Sequence, residues 1–151
     1  MQKDQSYFKI LDFVRTKEDL NLIKDELDLL EKSLFEVKGE TFDVVLDRKL
    51  PKEVSDLVRE LTLKADKKSV ILGLKKILDG LKHVEVTIAF RPTNKFVEDI
   101  WSEINKDRTE KVAIDLKTDK DIIGGALISY EGKFFDGSIL KMLNDTLKSY
   151  V

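Results

Sequence analysis

Residues 111–138 read KVAIDLKTDKDIIGGALISYEGKFFDGS, and this stretch decides the fold class. Residues 111–116 form a short apolar run with Val112 and Ile114 β-branched, the signature of a strand. Residues 122–130 are a second such run, and Gly124 and Gly125 inside it mark a bulge or a close approach of another backbone. Glu131-Gly132 reads as a turn, and residues 133–135 start a return strand. Asp136-Gly137-Ser138 then supplies helix-start chemistry. The Asp136 carboxylate can accept from backbone N–H groups, and its charge suits the positive helix end. The helix it opens carries Leu140, Leu143, Leu147 and Tyr150 on one face.

Upstream of this stretch, residues 83–90 (HVEVTIAF) alternate and are β-branched, a further strand. Pro92 stops it. Thr93 or Asn94 caps a helix whose buried face holds Phe96, Val97, Ile100, Trp101 and Ile104. Residues 82–151 therefore read as a small β-α-β-β-α domain.

Residues 1–81 have a different texture. They hold three of the seven glycines, and most of the sequence repeats at helical spacing. Tyr7, Ile10, Leu11 and Val14 mark a short first helix. Thr16 and Asp19 stand at capping-box spacing for the next. Leu20, Ile23, Leu27, Leu30, Leu34 and Val37 then recur every three or four residues, a stripe about 25 Å long. Leu22, Leu29 and Phe35 widen the stripe, and Gly39 ends the helix. Residues 41–46 (TFDVVL) read as a short strand or an extended connector. Pro51 opens a helix with Val54, Leu57, Val58 and Leu61 on its apolar face. Asp66 caps a last one carrying Val70, Ile71, Leu74, Ile77, Leu78 and Leu81. The fold class is thus α+β, an N-terminal bundle of about four helices followed by the β-α-β-β-α domain.

The composition removes several classes of function. The 151 residues are 42% apolar and 37% charged, enough for a core and well above the usual charged quarter. Residues 1–80 carry 16 basic and 17 acidic groups and residues 81–151 carry 11 and 12, so no basic field exists to attract nucleic acid. No cysteine is present, which excludes disulfides, thiolate zinc sites and cysteine nucleophiles. The longest uncharged run, residues 122–130, is far short of the roughly 20 residues a membrane helix needs. A phosphate loop is absent: Gly132-Lys133 has Leu127 and Phe134 where glycine and a hydroxyl belong. His83 is the sole histidine and has no partner at a catalytic spacing, so it reads as a residue of a helix–strand junction. The expectation is no catalytic residue, no cofactor, no metal and no direct membrane insertion. Binding is the use such a chain suits. Trp101, Leu147 and Tyr150 are the candidate partner contacts.

The same stretch resembles the C-terminal signature of the delta subunit of F-type ATP synthases, the oligomycin-sensitivity-conferring protein family. The resemblance rests on Asp119, Ile122, Gly124, Gly125, Ile128, Asp136, Gly137 and Ser138, in order and at matching spacing over roughly 40 residues, with the strand and helix of residues 84–104 preceding them. These residues have architectural rather than catalytic jobs. Ser129 departs from the family, which usually has a basic or strongly polar residue there. Four helices can be counted upstream where the family has six.

The resemblance implies a non-catalytic subunit that links the catalytic head of the enzyme to its peripheral stalk. The implied partners are the N-terminal segments of the alpha subunits and the long helical b subunits. The implied location is the cytoplasmic face of the cell membrane, reached through partners. The rival expectation is an adaptor of a related stator-like assembly, in a vacuolar-type ATPase or a secretion system.

Overall fold

The computed structural model describes residues 5–36, 38–121, 126–130 and 133–134. The chain forms two compact units, one of Met1–Val14 with Asp19–Gly80 and one of Arg15–Glu18 with Leu81–Val151.

The first unit is helical. A 3-10 helix η1 (Gln5–Phe13) is followed by α1 (Lys17–Ser33), α2 (Phe42–Lys49), α3 (Lys52–Thr62) and α4 (Lys67–Asp79). Three of these helices each bury a long apolar stripe: Ile23, Leu27 and Leu30 from α1, Val54, Leu57, Val58 and Leu61 from α3, and Val70, Ile71, Leu74 and Leu78 from α4. The Asp66 carboxylate accepts from Ser69 N–H at 3.0 Å and caps α4. Hydrogen bonding with the Ser69 hydroxyl, and then with its N–H, holds Asp66 below the usual carboxylate range. Lys75 of α4 pairs with both Asp28 and Glu31 of α1. Burial alone would depress the Lys75 ammonium, but the two carboxylates outweigh it and hold it above its ordinary value.

Two sequence expectations change here. Residues 41–46, expected as a strand or connector, begin a helix: Thr41 Oγ1 accepts from Val44 N–H at 3.4 Å, and Phe42, Val45 and Leu46 turn inward at i, i+3 and i+4. The long helix ends at Ser33, before Gly39. Leu34 and Phe35 N–H bond back to the carbonyls of Glu31 and Lys32, three residues earlier, and these tighter bonds close the last turn.

Gly73 lets η1 approach α4. A Cβ at this position would stand 2.7 Å from Cε1 and 3.1 Å from Cδ1 of Tyr7. Gly73→Ala will therefore lower the thermal midpoint, although alanine is the better helix former by about 1 kcal/mol. In a Tyr7→Ala background the same substitution will raise it. Thermal melts of the four-member cycle check both signs.

The second unit holds a four-stranded sheet in the order β2-β1-β3-β4. Strands β1 (Lys82–Ile88) and β2 (Val112–Thr118) run parallel, with α5 (Asn94–Asn105) between them in the chain. Strand β3 (Ala126–Tyr130) lies antiparallel to β1 on its other side, and β4 (Lys133–Phe134) pairs with β3. Thr93 caps α5 by accepting from Phe96 N–H at 3.2 Å. One sheet face, from Val84, Val86, Ile88, Val112 and Ile114, packs with Phe96, Ile100 and Ile104 of α5 into a single core.

Candidate interaction surfaces

On the opposite face, β1 and β2 carry His83, Glu85, Thr87, Asp115 and Lys117, with Ala113 buried beside His83. Glu85 and Lys117 pair at 2.8 Å across β1 and β2, and Asp115, the register partner of Glu85, is on the same face. The hydrogen bond from Lys117 to Glu85 raises the Lys117 ammonium above its ordinary value.

Trp101 occupies the flank of α5. The half-buried ring packs against the core of the second unit. The Arg15 guanidinium stands 5.7 Å and the Lys111 ammonium 5.5 Å from the ring centroid, both within cation–π range. The indole Nε1–H is buried with no hydrogen-bond partner among the described residues.

Asp119 and Ile128 fall on either side of β1. The Asp119 backbone N–H donates to the Ile88 carbonyl at 2.9 Å, and its carboxylate accepts from Asp121 N–H at 2.9 Å, which turns the chain as it leaves β2. Ile128 is the register partner of Val86. Asp119 thus acts on the backbone. Ile122, Gly124, Gly125, Asp136, Gly137, Ser138, Leu147 and Tyr150 lie outside the described residues.

The helical unit carries a surface that the sequence pattern misassigned. Leu22 and Leu29, expected to widen the buried stripe of α1, are 56% and 45% exposed. They sit seven residues apart on one side of the helix, roughly a third of a turn from Ile23, Leu27 and Leu30. Phe35, also expected in the buried stripe, is 65% exposed beyond the helix end, with Lys68 Nζ 5.5 Å from its ring centroid. Glu26 lies between the two leucines. Its Oε2 is buried without a hydrogen-bond partner among the described residues. Burial, and then the neighbouring Asp25 charge, push its carboxyl above the usual range.

A carboxyl raised in the folded state penalises folding once ionised, and the penalty fades as pH falls through the folded value towards that of the unfolded chain. Glu26→Gln will accordingly raise the thermal midpoint at neutral pH. The gain will vanish below the ordinary carboxyl value of 4.5. Melts of both proteins from acid to neutral pH check this.

Asn105 was not singled out by its sequence position. Its side-chain amide donates to the Trp101 carbonyl at 2.9 Å and the Val112 carbonyl at 3.1 Å, and its oxygen accepts from Val112 N–H at 2.8 Å. One side chain thereby joins the end of α5 to the start of β2. His83 is exposed at the second position of β1. Among the described residues no three His, Cys, Asp or Glu side chains converge as metal ligands, and no helix is long and apolar enough to cross a membrane.

Comparison with known proteins matches residues 70–149, just over half of the chain, to the family described as ATP synthase delta (OSCP) subunit. Among curated proteins, the chain is 32% identical over 84 residues to the ATP synthase subunit delta of Proteus mirabilis (strain HI4320), covering 54% of this chain and 48% of that one. It is 31% identical over 65 residues to the ATP synthase subunit delta of Methylorubrum populi (strain ATCC BAA-705 / NCIMB 13946 / BJ001), covering 43% of this chain and 34% of that one. The matches therefore span less than half of these relatives' lengths.

Proposed function

Since the chain belongs to the ATP synthase delta (OSCP) subunit family, we propose that it is a non-catalytic member of an F-type ATP synthase and links the catalytic head to the peripheral stalk. The observation that carries this reading is the extent of the family match, which runs from the first turn of α4 through the sheet to residue 149. The role is mechanical. Rotation in the motor loads the head with torque, and a stator must hold the head still. Such a link needs durable interfaces and no acid–base pair. The second unit, with the family signature, is the part assigned to the b subunits. The helical unit is assigned to the N-terminal segments of the alpha subunits.

Helix-in-groove docking is the expected mode, with apolar anchors at heptad-like spacing. Leu22 and Leu29 supply two anchors of that kind on the helical unit. Trp101 is the candidate anchor on the second, with Leu147 and Tyr150 on the chain's last segment. The protein would then sit at the cytoplasmic face of the membrane through its partners.

Calorimetric titration of the purified chain with two peptides tests the assignment. One is the N-terminal segment of alpha, and the other is the last helical segment of b. Both should bind. Leu22→Glu with Leu29→Glu should weaken the alpha peptide and spare the b segment. Absence of binding to either segment overturns the proposal.

A further inference from the structure

Residues Arg15–Glu18 follow η1 and run into the first turn of α1, yet they belong to the second unit. Ile114 N–H donates to the Arg15 carbonyl at 2.8 Å, and Thr16 and Ile114 form a parallel bridge. The side chains on either side reinforce this pairing. The Arg15 guanidinium lies 3.2 Å from the Glu98 carboxylate and over the Trp101 ring. Lys17 Nζ lies 3.6 Å from the Asp115 carboxylate, which is only 13% exposed.

The strand geometry gives these contacts a purpose. β2 is the outer strand of the sheet beside β1. Along a strand, successive N–H groups point to opposite sides. Ile114 N–H points away from β1, and so does Val112 N–H two residues earlier. Such outward groups make an open edge that invites pairing with other chains. Here Asn105 occupies the edge at Val112, and the Arg15 carbonyl occupies it at Ile114. Two unrelated devices close successive positions of one edge.

We infer that Arg15–Glu18 is a strap that protects the outer edge of β2 from pairing with other chains, so that the sheet is completed by residues that precede most of the helical bundle in the chain. Drawing the strap off opens the β2 edge at Ile114, uncovers one face of Trp101 and leaves the buried Asp115 carboxylate without its Lys17 partner.

The test uses the full chain and two site-resolved probes. One is the Ile114 amide, with the Ala113 amide, which points towards β1, as internal reference. The other is acrylamide quenching of Trp101, the chain's single tryptophan. In the wild type, Ile114 should exchange about as slowly as Ala113. Lys17→Pro keeps a helix start, because proline suits the first helical position, but removes the ammonium group and an N–H at the bridge. Arg15→Ala removes the contacts to Glu98 and Trp101. Each should speed Ile114 exchange at least about tenfold, change Ala113 far less, and increase quenching of Trp101. A wild-type Ile114 amide that exchanges at the unprotected rate overturns the inference, and this comparison decides even where Lys17→Pro fails to fold. So does a folded pair of variants in which neither probe moves.

Discussion

Phe96→Ala will remove about 3–5 kcal/mol from the second unit, a large share of a typical domain's stability. Phe96 is 1% exposed and lies at the centre of the packing between α5 and the sheet. Its ring meets Phe90 edge-on at 5.3 Å between centroids, an arrangement that adds to the area it buries. Alanine leaves a ring-sized void walled by β-branched strand residues, whose stiff side chains cannot swing in to fill it. Urea unfolding followed by Trp101 emission reports on this unit directly. The neighbouring Lys95→Ala should change the midpoint little, since its pair with Asp99 at 3.5 Å is exposed. A loss below about 1 kcal/mol for Phe96→Ala would mean that α5 does not pack on the sheet as described.

Asn105→Ala will cost about 2–4 kcal/mol, because it strands the N–H and carbonyl of a buried strand residue. Val112 is 2% exposed, and Asn105 serves both of its backbone groups. Asn105→Asp separates the hydrogen-bonding explanation from a packing one. The introduced carboxylate can still accept from Val112 N–H, but it turns an oxygen towards the carbonyls of Trp101 and Val112. Its carboxyl will titrate above the ordinary range, since only the protonated form can donate. The sign follows: the destabilisation of Asn105→Asp is full at neutral pH and shrinks as pH falls through the folded-state value. The loss in Asn105→Ala should show no such recovery. Denaturation midpoints of both variants at acid and neutral pH distinguish the two behaviours.

What could be read from the sequence was whatever neighbours in the chain decide. Asp66 and Thr93 cap their helices through N–H groups three residues on, and the β-branched runs at β1 and β2 form strands. Residues 42–46 were harder because both periods fit so short a run. Phe42, Val45 and Leu46 satisfy the helical spacing, and their burial decides between the periods. Leu22 and Leu29 misled for another reason. Apolar residues at heptad spacing need not share a face with the core, and the stripe through Ile23, Leu27 and Leu30 already fills the contact. The pairing of Thr16 with Ile114 joins residues almost a hundred positions apart and leaves no local pattern. Asn105 is of the same kind, since nothing in a helix's last residue announces that its amide will complete a strand edge.

The proposed stator role places demands on both units. One must hold the stalk and the other the head, and neither grip requires a reacting group. Purification of the tagged chain from detergent-solubilised membranes of its own cells, with mass spectrometry of what accompanies it, addresses that role most directly. A stator link predicts alpha, beta and b subunits in comparable amounts. A folded, abundant chain recovered with none of them would contradict it.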